Sequence, residues 1–220
     1  MSTGWRLSRR ALAPAFLGLA AGCTRLFSGP APKLYRVTAA AGFPPDLPHR
    51  AGQLLIEMPQ AAGGLDTRRI ALSRSPVSLD YFADAEWTER VPQLVQTALV
   101  DSFENSGAVA VLGRDSAGLR ADFLLRSEIR RFEADYGTAA GPPVARVAIV
   151  VRLVRLPAGA IIADTLFAAR VPAQANTMPD IVAAYDAALG QVLKRIVLWT
   201  LANPALAPAR RRRARGSRTP

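Results

Sequence analysis

The sequence predicts an α+β fold: a single two-layer domain, a mostly antiparallel or mixed β-sheet with two long helices packed on one face. Two helical stripes and the alternating segments between them carry this expectation. Val91, Leu94, Val95, Ala98, Leu99 and Phe103 follow the i, i+3, i+4, i+7 spacing of one buried helix face, and Ile181, Tyr185, Ala188, Leu189, Val192, Ile196 and Trp199 form a second stripe. Between them, Val147, Ile149, Val151 and Leu153 alternate with Arg146 and Arg152, the period-two signature of a half-buried strand.

Taken in order, Leu34 to Ala39 and Gln53 to Met58 read as short strands, the second placing Leu54, Ile56 and Met58 on one face. Gly42 to Pro48 is a Pro-rich loop. Gly63-Gly64 marks a turn before Arg69 to Ser73, and an extended piece around Val77 to Phe82 follows Pro76. The first helix starts near Thr88 to Pro92, where proline is tolerated because first-turn N–H groups lack intrahelical partners, and Gly107 ends it. A short strand, Ala108 to Leu112, follows.

In Asp122 to Tyr136 the apolar parity changes. Phe123, Leu125 and Ile129 occupy odd positions and Phe132, Ala134 and Tyr136 even ones, so a β-bulge near Arg130-Arg131 restores one buried face. Val144 to Leu156 and Ile161 to Val171, the latter with Ile161, Phe167 and Val171 opposite Asp164 and Arg170, form an antiparallel hairpin through Leu156-Pro157-Ala158-Gly159. Thr177 with Asp180 resembles a capping box at the start of the second helix. Asn203-Pro204 stops that helix, and the Ala, Pro and Arg composition of residues 203–220 reads as a disordered tail unable to bury a core.

The chain has 220 residues, half of them apolar and a fifth charged, which suits one ordinary domain rather than a disordered or polytopic protein. One Cys and one His exclude a disulfide framework, metal sites built from several Cys or His ligands, and a Cys-His nucleophile pair. The formal charge of +11 sits at the ends. Arg6, Arg9 and Arg10 lie in residues 1–22, and Arg210, Arg211, Arg212, Arg213, Arg215 and Arg218 lie in the tail, so removing them leaves the body at +2. That balance argues against nucleic acid as a partner of the body.

The amino end has the layout of a secretory signal: a basic stretch to Arg10, the apolar run Ala11 to Ala21, then Gly22 and Cys23. As a helix that run extends only about 16 Å, against about 30 Å of hydrocarbon in a bilayer. Leu19-Ala20-Ala21-Gly22-Cys23 resembles the bacterial lipobox, with Leu one place further from the cysteine than usual. Ser8-Arg9-Arg10-Ala11-Leu12 also resembles a twin-arginine export signal. The implied organisation is a signal peptide over residues 1–22, a lipidated terminus and tether over 23–33 (with Gly29, Pro30 and Pro32), a folded body over 34–202, and the tail. Lipidation at Cys23 implies fatty acylation and a membrane anchor. Thr24, rather than Asp, after the cysteine favours the outer membrane over the inner.

Individual side chains read as follows. Tyr81 and Trp87 are expected to pack at the start of the first helix, a partner-binding edge being the alternative. His49, between Pro48 and Arg50, reads as an exposed loop residue. Asp80, Asp84, Glu86 and Glu89 precede and enter a helix, where negative charge favours the N-terminal dipole. Glu128, Glu133 and Asp135 beside Arg126, Arg130 and Arg131 read as a solvated charged strand face. Arg210, Arg211, Arg212, Arg213 and Arg215 are candidates for contact with an anionic surface, weighed against a dispensable tail in a chain with 26 arginines and two lysines.

The order of these residues resembles the ABC-type transport auxiliary lipoprotein family. The resemblance is carried by Tyr35-Arg36-Val37, by Arg69 to Arg74 leading through Tyr81 to Trp87, by the helix Pro92 to Phe103 closed by Gly107, and by the long hairpin and final helix ending at Trp199. The family includes the auxiliary lipoprotein of the paraquat-inducible system, a partner of mammalian-cell-entry (MCE) domain proteins. The resemblance implies a non-enzymatic, periplasm-facing component of a lipid transport system, without cofactor, docking on an MCE-domain protein beside an ABC permease and ATPase; homo-oligomerisation is left open. One alternative is a periplasmic carrier with a lipid cavity between sheet and helices, lined by residues such as Phe103, Val147 and Trp199. An envelope hydrolase ranks last, since the single His has no evident Ser partner and no Gly-x-Ser-x-Gly elbow is present.

Overall fold

A computed structural model describes residues 31–112, 121–137 and 141–206, and from Pro32 onward the chain forms one unit. Its organising element is strand β7, Phe123–Asp135. On one side β7 pairs antiparallel along its length with β8 (Val144–Arg155), which pairs antiparallel with β9 (Ala160–Pro172). On the other side β7 receives three short strands in succession, all parallel to it. Leu54 to Ile56 of β2 (Arg50–Ile56) lie beside Phe123 to Leu125, β3 (Gln60–Ala61) beside Glu128 and Ile129, and the end of β4 (Arg69–Ser73) beside Ala134 and Asp135. Beyond β4 come β5 (Asp80–Trp87), antiparallel, and β1 (Lys33–Tyr35), parallel to β5; β6 (Val109–Leu112) runs parallel to β2. The product is a mixed nine-stranded sheet.

Helix α1, Val91–Ser106, lies against β2 and β6, and α2, Met178–Ala202, lies across β8 and β9; the two helices also touch. Proline in the first turn and Gly107 at φ 61° bracket α1, the Gly107 N–H donating to the Glu104 carbonyl at 2.9 Å. At the start of α2 the Thr177 hydroxyl accepts from the Asp180 N–H at 3.4 Å, the arrangement the Thr-x-x-Asp spacing predicts.

The pairing of β7 with β8 shifts between Ile129 and Arg131, placing the bulge where the parity change requires it. Before the shift Phe123, Leu125, Ser127 and Ile129 are buried; after it Phe132 and Ala134 are. Opposite them Ala145, Val147, Ile149, Val151 and Leu153 point into the same core. Deep in that core Trp87, Phe132 and Tyr185 meet pairwise with ring centroids 5.2–5.6 Å apart, joining β5, β7 and α2. Contacts of this kind contribute about 0.5–1.5 kcal/mol each beyond the area they bury. The Tyr185 hydroxyl donates to the Ala71 carbonyl at 2.5 Å, and Gln96 Nε2 of α1 donates to the Ile56 carbonyl at 3.0 Å.

Several boundaries differ from the sequence expectation. The first strand stops at Tyr35, because the following main chain bonds to helix side chains instead of another strand. The Thr38 N–H donates to Asp186 Oδ1 at 2.6 Å and the Ala40 N–H to Ser102 Oγ at 2.9 Å. In turn, Asn105 Nδ2 donates to the Ala40 carbonyl at 3.0 Å and Lys194 Nζ to the Gly42 carbonyl at 2.8 Å. Residues 38–42 thus form a strap clamped to both helices. Met58 falls beyond the end of β2 and is exposed, whereas Leu54 and Ile56 are buried. The extended piece after Pro76 begins at Asp80 and continues to Trp87. A register shift between Leu153 and Val154 turns Ile161 out of the face that holds Phe167, leaving it 58% exposed. At the carboxyl end, Pro204–Leu206 form a 3-10 turn with Leu206 buried and Arg155 donating to the Ala205 carbonyl, so packing reaches into the segment expected to be tail.

Two predictions follow from this core. Burial, reinforced by the Glu133 carboxylate, holds the Tyr185 pKa well above its ordinary 10.0. The unfolded chain ionises this group near pH 10 and the folded chain does not, so above that pH the native state binds more protons and stability falls as pH rises. Tyr185→Phe therefore costs about 1–3 kcal/mol at neutral pH by leaving the Ala71 carbonyl unpaired, and the wild-type advantage shrinks above pH 10; urea denaturation across pH 7–11 measures both, and a constant gap contradicts the assignment. Ser102→Ala strands the Ala40 N–H and costs about 1–3 kcal/mol, with faster amide exchange confined first to residues 38–42.

Candidate interaction surface

Cys23 and the tail arginines Arg210 to Arg213 and Arg215 lie outside the described residues. Of the two singled-out aromatics, Trp87 is fully buried between Phe132 and Tyr185, whereas Tyr81 is half-buried. The Tyr81 hydroxyl donates to the Gly64 carbonyl at 2.8 Å and the Arg69 guanidinium stacks 3.9 Å from its ring centroid. Trp87 is inaccessible to a partner, and Tyr81 holds the turn before β4 in place. His49 is exposed immediately before β2 and has no hydrogen-bond partner among the described residues.

The acidic residues are placed differently from the expectation. Asp80, Asp84 and Glu86 belong to β5, and the first turn of α1 carries no acid; the helix begins at Val91, within the expected Thr88 to Pro92, so Glu89 precedes it rather than entering it. Arg90 instead pairs with Asp66 at 2.5 Å, and Glu86 with Arg68 at 3.7 Å. No group of three or more metal-ligating side chains occurs among the described residues.

What the strands do assemble is a charged ladder on the sheet face away from the helices. Even-numbered β8 residues point there, and the β7 bulge brings odd-numbered residues after Ile129 to the same side. Arg126 of β7 pairs with Glu57, just past β2, at 2.7 Å and Arg146 of β8 with Asp135 of β7, while along β7 itself Arg130 pairs with Glu128 at 3.0 Å and Arg131 with Glu133 at 2.6 Å. The Glu57 contact raises the Arg126 pKa, keeping the guanidinium charged. The Arg126–Glu57 and Arg130–Glu128 pairs are solvated and add little to stability, so this part of the ladder is chiefly a pattern of charge offered to the surroundings. Glu133 departs from the solvated face the sequence indicated: it is only 6% exposed, covered by its arginine partner and the β4–β5 turn.

Apolar groups also reach the surface. Val77, at the β4–β5 turn, is 97% exposed, Leu34 is 52% and Met58 is 43% exposed. Met58 borders an open pocket of about 470 Å³ between β3 and the start of α1, with Asp66 and Arg90 on its wall. A second pocket of about 280 Å³ lies beneath the β4–β5 turn, lined by Arg74, Arg131, Glu133 and Arg146. Neither is the lipid cavity considered from the sequence. Phe103 and Val147 fill the core at 0% and 1% exposure, and Trp199 packs edge-on against Phe167 at 5.9 Å. The strap contacts of Asp186 and Lys194 were not legible in the helical stripe, because they depend on a loop arriving from more than a hundred residues away; their one signal is a polar residue on the helix face turned from the sheet.

The comparisons with known proteins agree with this architecture. The family model for the ABC-type transport auxiliary lipoprotein component matches residues 35–197. An uncharacterized protein of Bradyrhizobium diazoefficiens, bll6063, is 29% identical over 188 residues, 84% of this chain and 50% of its own; this chain therefore spans about half the length of that curated relative. The crystal structure of protein XCC0632 from Xanthomonas campestris is 29% identical, with a TM-score of 0.72 over 77% of this chain and 94% of that one. A second crystal structure, of an uncharacterized protein, shares the fold at 16% identity and a TM-score of 0.59, covering 76% of this chain and 97% of that one. The match runs from the last residue of β1 almost to the end of α2, and on it the chain belongs to the ABC-type transport auxiliary lipoprotein component family.

Proposed function

We propose that this chain is the membrane-anchored, non-catalytic lipoprotein of an ABC/MCE-type lipid transport system. In this reading Cys23 carries the lipid, residues 23–33 tether the body, and the body faces the periplasm and docks on the MCE-domain protein that works with the permease and ATPase. Thr24, rather than Asp, after the cysteine favours the outer membrane over the inner. The observation that carries the reading is the family match over residues 35–197, preceded in the same chain by the Leu19-Ala20-Ala21-Gly22-Cys23 layout.

The geometry supports a docking role in two ways. The space between sheet and helices is filled by side chains, so cargo has no internal chamber among the described residues that the core aromatics line. The surface offers charge in a fixed pattern, with four ion pairs on the helix-free face, two within β7 and two joining it to its neighbours, the kind of arrangement that sets partner choice and orientation more than affinity.

Two measurements test the reading separately. Cys23→Ser is expected to shift the protein from the membrane fraction to the soluble fraction and to abolish palmitate labelling; labelling that persists contradicts the anchor. Full-length wild type captured from detergent-solubilised membranes is expected to bring down an MCE-domain protein, and a capture with neither that protein nor the permease or ATPase contradicts the docking role.

A further inference from the structure

Among the described residues β9 pairs with β8 alone, leaving its other edge without a neighbouring strand. One contact identifies which main-chain groups face that edge. Arg195 of α2 donates from Nη1 to the Ala168 carbonyl at 2.9 Å, so Ala168 turns its main chain away from β8. Hydrogen-bonded and non-hydrogen-bonded positions alternate in an antiparallel ladder, so Asp164, Leu166 and Arg170 turn theirs the same way. The side chains of all four residues stand on the helix-free face and are exposed, Leu166 by 54%.

Among the described residues the charges on this edge find no partner within one copy. Asp164 and Arg170 enter no ion pair among the described residues. Arg170 lies opposite Arg146, whose guanidinium is committed to Asp135, and Asp164 lies opposite Arg152, which reaches toward Glu128 at 4.0 Å. They are spaced symmetrically about Phe167, with Leu166 and Ala168 between them.

We propose that the β9 edge binds a second copy of this chain, antiparallel, about a two-fold axis through Phe167. In that register Asp164 of each copy faces Arg170 of the other, and Leu166 of each faces Ala168 of the other, on the same sheet face. Every outward main-chain group from Asp164 to Arg170 then meets its complement, the Ala168 carbonyl exchanging Arg195 for the Leu166 N–H of the second copy. The contact is isologous and closes on itself, so it makes a dimer with one continuous sheet rather than a filament. It also places opposite charges directly across strands, where like charges destabilise.

The test is sedimentation equilibrium of the full-length chain in density-matched detergent. Wild type is expected to dimerise. Asp164→Arg and Arg170→Asp are each expected to weaken the dimer by about tenfold or more, since each sets like charges across the two-fold twice, and the two together are expected to restore it. A wild type that stays monomeric at all concentrations overturns the proposal. So does an assembly that ignores both single reversals, or one that the double reversal fails to restore. Leu166→Glu provides an independent break: should a reversal fail to fold by circular dichroism, an unchanged dimer in Leu166→Glu overturns the proposal on its own.

Discussion

The structure depends on one extra residue in β7. Without the shift between Ile129 and Arg131, Phe132 and Ala134 would face solvent and Arg131 and Glu133 would face the helices. Period-two alternation allows no compromise: a strand out of step by one residue exchanges its two faces completely. The bulge brings Phe132 to Trp87 and Tyr185, and through them ties the short strands of one sheet half to α2. It also lets one strand take β2, β3 and β4 in sequence along a single edge, since the twist a bulge adds re-aims the second half of the strand.

The long elements were legible in the sequence for a physical reason. Helices α1 and α2 and strands β7 and β8 each bury one face against an extended partner, so their periodicity is imposed over many residues. The parity change at Arg130-Arg131 could be read because both halves of β7 repeat often enough to define a phase. Short strands carry no such signal. The two residues of β3 and the three of β1 are strands only because a neighbour supplies the pairing, and no local pattern encodes a neighbour's position. The same holds for Met58, which continues the alternation of Leu54 and Ile56 after the pairing has ended.

The surface was less legible than the core. Tyr81 and Trp87 look equivalent as sequence, two aromatics in one strand, yet burial makes one a core residue and leaves the other bracing a turn. Glu133 reads as one more member of a solvated row, yet it is covered where the β4–β5 turn approaches the sheet. In both cases the deciding quantity is what another part of the chain places overhead. The residues assigned to lipidation and to the basic tail rest on sequence pattern and resemblance, whereas the family rests on a match that spans most of the sheet and both helices.

The clamped segment over the helices has a mechanical consequence. It follows β1 directly, so tension applied to the chain upstream of Lys33 reaches the three-residue ladder of β1 first and the bonds at Thr38, Ala40 and Gly42 next. Those bonds end on α1 and α2 rather than on the hairpin of β8 and β9. A load arriving from the amino terminus is shared between the two helices before it reaches the strands they cover.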